Sequence, residues 1–148
     1  MAVSRDGFVA TGPEDPMHWT GPLDKAVFKL LTLCSRDPLA AGHPTASLLP
    51  PLAGRSVVPL SRDPSKGVPL LSFARRHPDA WLLGGQTVAL EAVREGLLDE
   101  LCLCHVPVLL LAGVPLCSAL TSAFRRHAEV RFRGEPGADE DVNVVIHR

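Results

Sequence analysis

Ala80-Trp81-Leu82-Leu83-Gly84-Gly85-Gln86-Thr87 is the stretch that decides the fold. Its first four residues form a short, wholly apolar run, the kind of strand that a parallel sheet buries on both faces. Two glycines break the run, and a helix follows to about Glu95, with Gly96 as its C-cap. Strand, glycine turn and helix together make the βα step of an α/β sheet. At such a junction the amides of the first helical turn face an anion, which the helix dipole also favours. A tight turn that needs positive φ accounts for the two glycines equally well, so this stretch alone leaves both readings open.

On its N-terminal side, Val68 to Arg76 reads as a helix stopped by Pro78. Ser56 to Leu60 reads as a strand that Pro59 assigns to an edge or bulge. A short strand, Leu39 to Ala41, leads into Gly42 and a short helix ending near Leu52-Ala53-Gly54. Earlier still, Pro22 near the N1 position and Asp24 in the first turn open a helix. Val27, Leu30, Leu31 and Cys34 follow at helical spacing on one face. Met1 to Ala10 is a strand remnant with a turn at Asp6-Gly7, and Gly12 to Gly21 is a loop rich in Gly, Pro and acid. On the C-terminal side, Glu100 to Val106 is a strand. Strands around Glu129 to Arg133 and Val142 to His147 form a hairpin with a long connection, which makes one end of the sheet antiparallel. These elements predict one three-layer α/β/α domain over residues 1–148, with a mostly parallel twisted sheet, an antiparallel C-terminal hairpin and about four helices.

Composition narrows the function. A chain of 148 residues has room for one substantial core. Hydrophobic residues at 46% and charged residues at 21% give the balance of an ordinary soluble globular protein. The net charge is −1 and the basic residues are scattered, so no basic stripe offers itself to nucleic acid. The longest apolar run, Val106 to Val114, falls far short of the ~20 residues that span a bilayer. Arg5 and Asp6 interrupt any apolar signal core, so the expectation is a cytoplasmic protein with no membrane partner. Cys34, Cys102, Cys104 and Cys117 read as free thiols. Cys102, Cys104 and His105 form a C-x-C-H cluster, but no second ligand group stands at zinc spacing, and no metal is expected.

The ends of parallel strands gather on one sheet edge, where ligands bind. Gly42-His43-Pro44-Thr45, Ser61-Arg62 and Gly84-Gly85-Gln86-Thr87 all follow strands, and three such loops suit a phosphorylated dinucleotide. Arginine suits a 2′-phosphate because it bonds in bidentate fashion. Taken singly, Arg62 fits a solvated loop arginine as well.

Ser4-Arg5-Asp6-Gly7-Phe8-Val9-Ala10 matches an S-x-D-G-x-I-A turn. Trp19-Thr20-Gly21-Pro22-Leu23-Asp24, with Phe28-Lys29 and Thr32, matches W-x-x-P-x-D-x-x-x-F-K-x-x-T. Gly42-His43-Pro44-Thr45 and Pro51-Leu52-Ala53-Gly54-Arg55 stand for G-R-x-T and P-L-x-G-R, and Leu60-Ser61-Arg62 and Gly84-Gly85-Gln86 for L-S-R and G-G-x. In this order and spacing the motifs resemble the dihydrofolate reductase superfamily over nearly the whole chain. Glu95 to Leu101, Pro107-Val108-Leu109 and Gly113-Val114-Pro115-Leu116 look most like its riboflavin-biosynthesis branch.

The resemblance implies a dihydrofolate-reductase-like fold and an NADPH-dependent oxidoreductase that reduces dihydrofolate, or a related pterin or aminopyrimidine, by hydride transfer. By the same carry-over His43, Thr45, Ser61 and Arg62 hold the adenosine phosphates. Gly84, Gly85, Gln86 and Thr87 cradle the pyrophosphate around a cis Gly84-Gly85 peptide, and Ala10 lies against the nicotinamide. Asp24 is the buried acid of the substrate site, which Trp19, Phe28 and Cys104 line. Arg55 aligns with the arginine that holds the glutamate tail of folates.

Asp24 also has a simpler reading, as an acid that steadies a helix N-terminus. Three departures from the family pattern matter. Most of the first, central strand is absent, a loss that exposes unpaired backbone groups, so either the start is truncated or the neighbouring strands close the gap. His43 replaces an arginine, and a neutral imidazole grips phosphate less firmly. Cys104 replaces a threonine, and a thiol is a poor hydrogen-bond donor. With no tyrosine in the chain, no phenol can serve as proton donor. Two other readings therefore stay open. One is a repurposed biosynthetic enzyme with a weakened nucleotide site, and the other a non-catalytic module that dimerises through an apolar strand such as Cys102 to Leu111.

Overall fold

The computed structural model describes residues 1–33, 35, 38–49, 52, 55–136 and 140–148. In chain order the elements begin with β1 (Ala2–Val3), β2 (Phe8–Ala10), a 3-10 turn (His18–Thr20), α1 (Gly21–Leu33) and β3 (Leu39–Gly42). Next come α2 (His43–Leu48), β4 (Val57–Leu60), α3 (Leu70–Arg76), β5 (Trp81–Leu82) and α4 (Gln86–Arg94). The chain finishes with β6 (Leu101–His105), β7 (Val114–Pro115), α5 (Ser118–Thr121), β8 (His127–Phe132) and β9 (Val142–His147). They form two compact units, one of Met1–Leu30 with Asp99–Arg148 and one of Leu31–Leu98.

In the first unit the strand order is β1-β6-β9-β8. The short β1 runs parallel to β6, with Ala2 opposite Cys104 and Val3 opposite His105. β6, β9 and β8 are antiparallel, so the C-terminal hairpin forms with the long connection that the sequence predicts. Val3, Leu103, Val142 and Val144 are buried where these strands pair. On the outer strand, Glu129 and Arg131 are exposed and put charge on an edge that would otherwise invite another strand.

β6 ends at His105, well short of Leu111, and is paired on both sides by β1 and β9. It therefore offers no free edge in this sheet. The chain beyond it is instead tied to the opening turn. The Ser4 hydroxyl donates to Asp6 Oδ1 over 2.6 Å, and the Asp6 carboxylate accepts from the amides of Leu110 at 3.2 Å and Leu111 at 2.8 Å. The Ser4 bond, helped by these amides, holds the Asp6 carboxyl below its ordinary range. A second antiparallel pair, β2 with β7, sets Phe8 opposite Pro115 and Ala10 opposite Val114.

In the second unit a parallel sheet runs β4-β3-β5. Pro59 lies on the outer strand β4, as its missing N–H requires, and its carbonyl accepts from Val68 N at 2.9 Å. The middle strand β3 buries Leu39, Ala40 and Ala41, small enough to let helices approach. Phe73 of α3 packs with Ala40 and Leu60, joined by Val58, Leu82 and Val88. β5 is the other outer strand of this sheet, and Trp81 and Leu82 are half-buried rather than covered on both faces.

Three helix details refine the sequence expectations. On α1 the buried positions are Asp24, Val27 and Thr32, with Phe28 and Leu31 half-buried. Leu30, six residues after Asp24 and so about 120° round the helix from it, is 51% exposed. Helix α2 stops at Leu48, short of Leu52 to Gly54, because Leu49 precedes Pro50 and is extended at φ −71°, ψ 134°. At the end of α4, Gly96 takes φ +64° and donates to Val93 O, while Leu97 N reaches Ala92 O at 2.8 Å, the C-cap expected of it. Five α-helices stand among the described residues, the short α5 being additional to the four expected. Cys34, Pro51, Ala53 and Gly54 lie outside those residues. Among the described residues no helix is long and apolar enough to cross a membrane.

Candidate functional site

The first unit assembles a carboxyl site. The 3-10 turn delivers Thr20, and Gly21 at φ +77° turns the chain into α1, so that Asp24 falls in the first helical turn. Asp24 is 7% exposed. Burial pushes its carboxyl above the ordinary aspartate range, opposed by a hydrogen bond from the buried Thr20 hydroxyl. Cys104 on β6 is buried within electrostatic reach of Asp24; burial, and then that carboxylate, raise its thiol. Phe28 stands one turn along α1 from Asp24 and is half-buried.

The loop before α1 is held by a residue that the sequence reading passed over. Asp15 accepts from Thr11 N at 2.5 Å, Met17 N at 2.7 Å and Trp19 Nε1 at 2.8 Å. Although its burial works the other way, these bonds hold the Asp15 carboxyl below its ordinary range. One ionised side chain thus orients Trp19 and ties it to Thr11, the residue after Ala10. The available signal was an acid four residues before a tryptophan, in a loop otherwise rich in Gly and Pro. Ala10 closes β2, and the backbone of Gly113 lies so close to its carbonyl that no Cβ would fit there.

The second unit gathers three strand ends. Gly42, at the end of β3, pairs with Leu60 at the end of β4, and Ala40 pairs with Leu82 of β5 in parallel register. The following segments, His43 to Thr45, Ser61-Arg62 and Gly84 to Thr87, therefore share one edge. The Gly84-Gly85 peptide is trans, contrary to the implied cis bond, and the turn is made by φ of +124° and +84°. A Cβ at Gly84 would meet nothing within 4 Å, whereas one at Gly85 would come within 3.1 Å of Thr45 Oγ1. No side chain caps α4, so the amides of Thr87 and Val88 have no helical partner.

The charged groups of this edge are engaged with acids. Arg62 donates to Glu91 Oε2 from Nη2 at 2.7 Å and from Nε at 3.1 Å. The Ser61 hydroxyl accepts from Asp63 N at 3.1 Å. Asp63 feels the charge of His43 and is held below its ordinary range chiefly by the Ser65 hydroxyl. The Arg55 guanidinium donates to the Thr32 carbonyl. Cys102 and Cys104 point to one face of β6 and His105 to the other, so this C-x-C-H run cannot converge on one ion.

No protein-family model and no curated protein matches the chain. Solved structures do. A dihydrofolate reductase from Enterococcus faecalis, complexed with NADP(H) and RAB-propyl, is similar with a TM-score of 0.74 and 18% identity over 99% of this chain and 92% of that one. A proposed riboflavin biosynthesis protein from Shewanella sp. PV-4 is similar with a TM-score of 0.62 and 20% identity over 100% of this chain and 96% of that one. At such identities the likeness speaks for architecture. The chain has a dihydrofolate-reductase-like fold.

Proposed function

We propose that this protein is a nicotinamide-dinucleotide-dependent reductase of a small nitrogen heterocycle, a pterin or aminopyrimidine. The observation that carries this reading is the burial of Asp24 beside the Thr20 hydroxyl, with its carboxyl pushed up. An acid that only steadies a helix end works best ionised and in water, and burial opposes both.

Reduction of a C=N bond adds a hydride at carbon and a proton at nitrogen. A bound reduced nicotinamide supplies the hydride. Asp24 holds the amino and ring N–H groups of an aminopyrimidine through two parallel hydrogen bonds, which a planar carboxylate suits. Its raised pKa lets it take up a proton from water more readily than an ordinary aspartate, and in that protonated form it passes the proton to the ring nitrogen being reduced. Trp19, steadied by Asp15, and Phe28 shape the apolar wall, to which Cys104 adds bulk rather than a strong donor. NADPH is the cofactor the resemblance implies. Gly84, Gly85, Gln86 and Thr87 would hold its pyrophosphate, for which the open space at Gly84 and the uncapped end of α4 leave room. His43, Thr45, Ser61 and Arg62 would meet the adenosine phosphates, and Ala10 the nicotinamide.

The expected result is loss of reduced-nicotinamide absorbance when the protein meets NADPH and one member of a panel of dihydropterins, dihydrofolate and riboflavin-pathway aminopyrimidines. Product should form mole for mole. No consumption with any member, by a folded protein, would speak against the reading.

A further inference from the structure

We propose that Glu91 sets the nucleotide preference of the second unit's site, so that a dinucleotide with free ribose hydroxyls, NADH, binds at least as well as NADPH. The inference rests on the nucleotide reading above. Arg62 follows β4 on the sheet edge that also carries the glycine turn, and it is already forked onto a single Glu91 oxygen at 2.7 and 3.1 Å. Glu91 belongs to α4, the helix that the Gly84-Gly85 turn starts, and its side chain is only 29% exposed against 82% for Arg62. The carboxylate is therefore the fixed partner, and the arginine is the one that comes to it.

A 2′-phosphate brought to Arg62 would stand beside that carboxylate. It carries nearly two negative charges near neutral pH, so the approach is repulsive as well as competitive. A ribose hydroxyl meets the opposite situation, because a carboxylate accepts its hydrogen bond, the device that dinucleotide folds use for the unphosphorylated cofactor. The neighbouring groups point the same way. His43 acts electrostatically on Asp63, and Lys66 lies 3.7 Å from the same carboxylate. Arg62 and Lys66 thus each have an acid of the same unit beside them.

The test is a fluorescence titration of wild type, Glu91→Gln and Arg62→Ala with NADPH and with NADH, each variant checked for folding by circular dichroism. Wild type should bind NADH no more weakly than NADPH. Glu91→Gln should tighten NADPH by about tenfold, the worth of removing one nearby like charge, and leave NADH within about threefold. Arg62→Ala added to Glu91→Gln should abolish that gain. A wild-type preference for NADPH of about tenfold or more, or an unchanged ratio in Glu91→Gln, overturns the role of Glu91 and leaves the nucleotide reading standing. If neither dinucleotide binds wild type or Glu91→Gln, both fall.

Discussion

Replacing Asp24 with Asn should lower turnover by about a hundred- to ten-thousandfold, the range that general acid–base groups contribute, while dinucleotide affinity stays within about threefold. The amide keeps the shape of the side chain and one acceptor but removes the proton and the second acceptor. Stability should move the other way. The carboxyl of Asp24 is raised in the fold from 3.8, so the native state binds its proton more tightly than the unfolded chain does. Its stabilising contribution is complete below the unfolded value and is lost as pH rises through the folded one. Above the folded pKa the wild type therefore carries a buried charge that Asn does not, and there the variant's melting temperature should equal or exceed that of wild type. A purely helix-steadying Asp24 gives the reverse pair of results, a lower melting temperature and unchanged turnover. Melting curves and steady-state rates on one preparation distinguish the two.

Gly113→Ala should destabilise the protein by about 3 kcal/mol, among the larger effects of a single substitution. Gly113 has φ +150°, and a Cβ there would collide with the Ala10 carbonyl oxygen and come within 3.3 Å of Thr11 Cα. Both neighbours are backbone, so no side-chain rotation relieves the clash, and β2 must separate from β7. Gly84→Ala is the control, since it also has positive φ, +124°, but open space around the added carbon. It should cost only about 1–2 kcal/mol of backbone strain. Equal losses in chemical denaturation would mean that close approach to Ala10 is not what requires Gly113.

The parts of the fold that were legible are those where local chemistry leaves little choice. Pro59 cannot donate to a ladder and lies on an outer strand, and Gly96 ends α4 with the φ only glycine adopts readily. The C-terminal hairpin followed from two strand-like runs on either side of a Gly- and acid-rich connection. What stayed hidden depends on tertiary partners. The two-residue β7 has too little pattern to announce its pairing with β2. Leu30 was assigned to the buried face of α1 because apolar spacing cannot foresee that a carboxyl, Asp24, occupies that face instead. The nucleotide residues were named from their place after strands, but the Glu91 partner of Arg62 lies 29 positions away and no spacing rule links the two. Asp15 was hidden because its three donors come from loop backbone and an indole rather than from any regular element.

The measurement that bears most directly on the proposed function is a titration of the purified protein with reduced nicotinamide dinucleotides, followed by cofactor fluorescence and heat. Saturable binding at one site per chain, with a dissociation constant of about 1–100 μM, is the predicted result. No saturation by either NADH or NADPH up to about 1 mM, in protein that melts cooperatively, would contradict it.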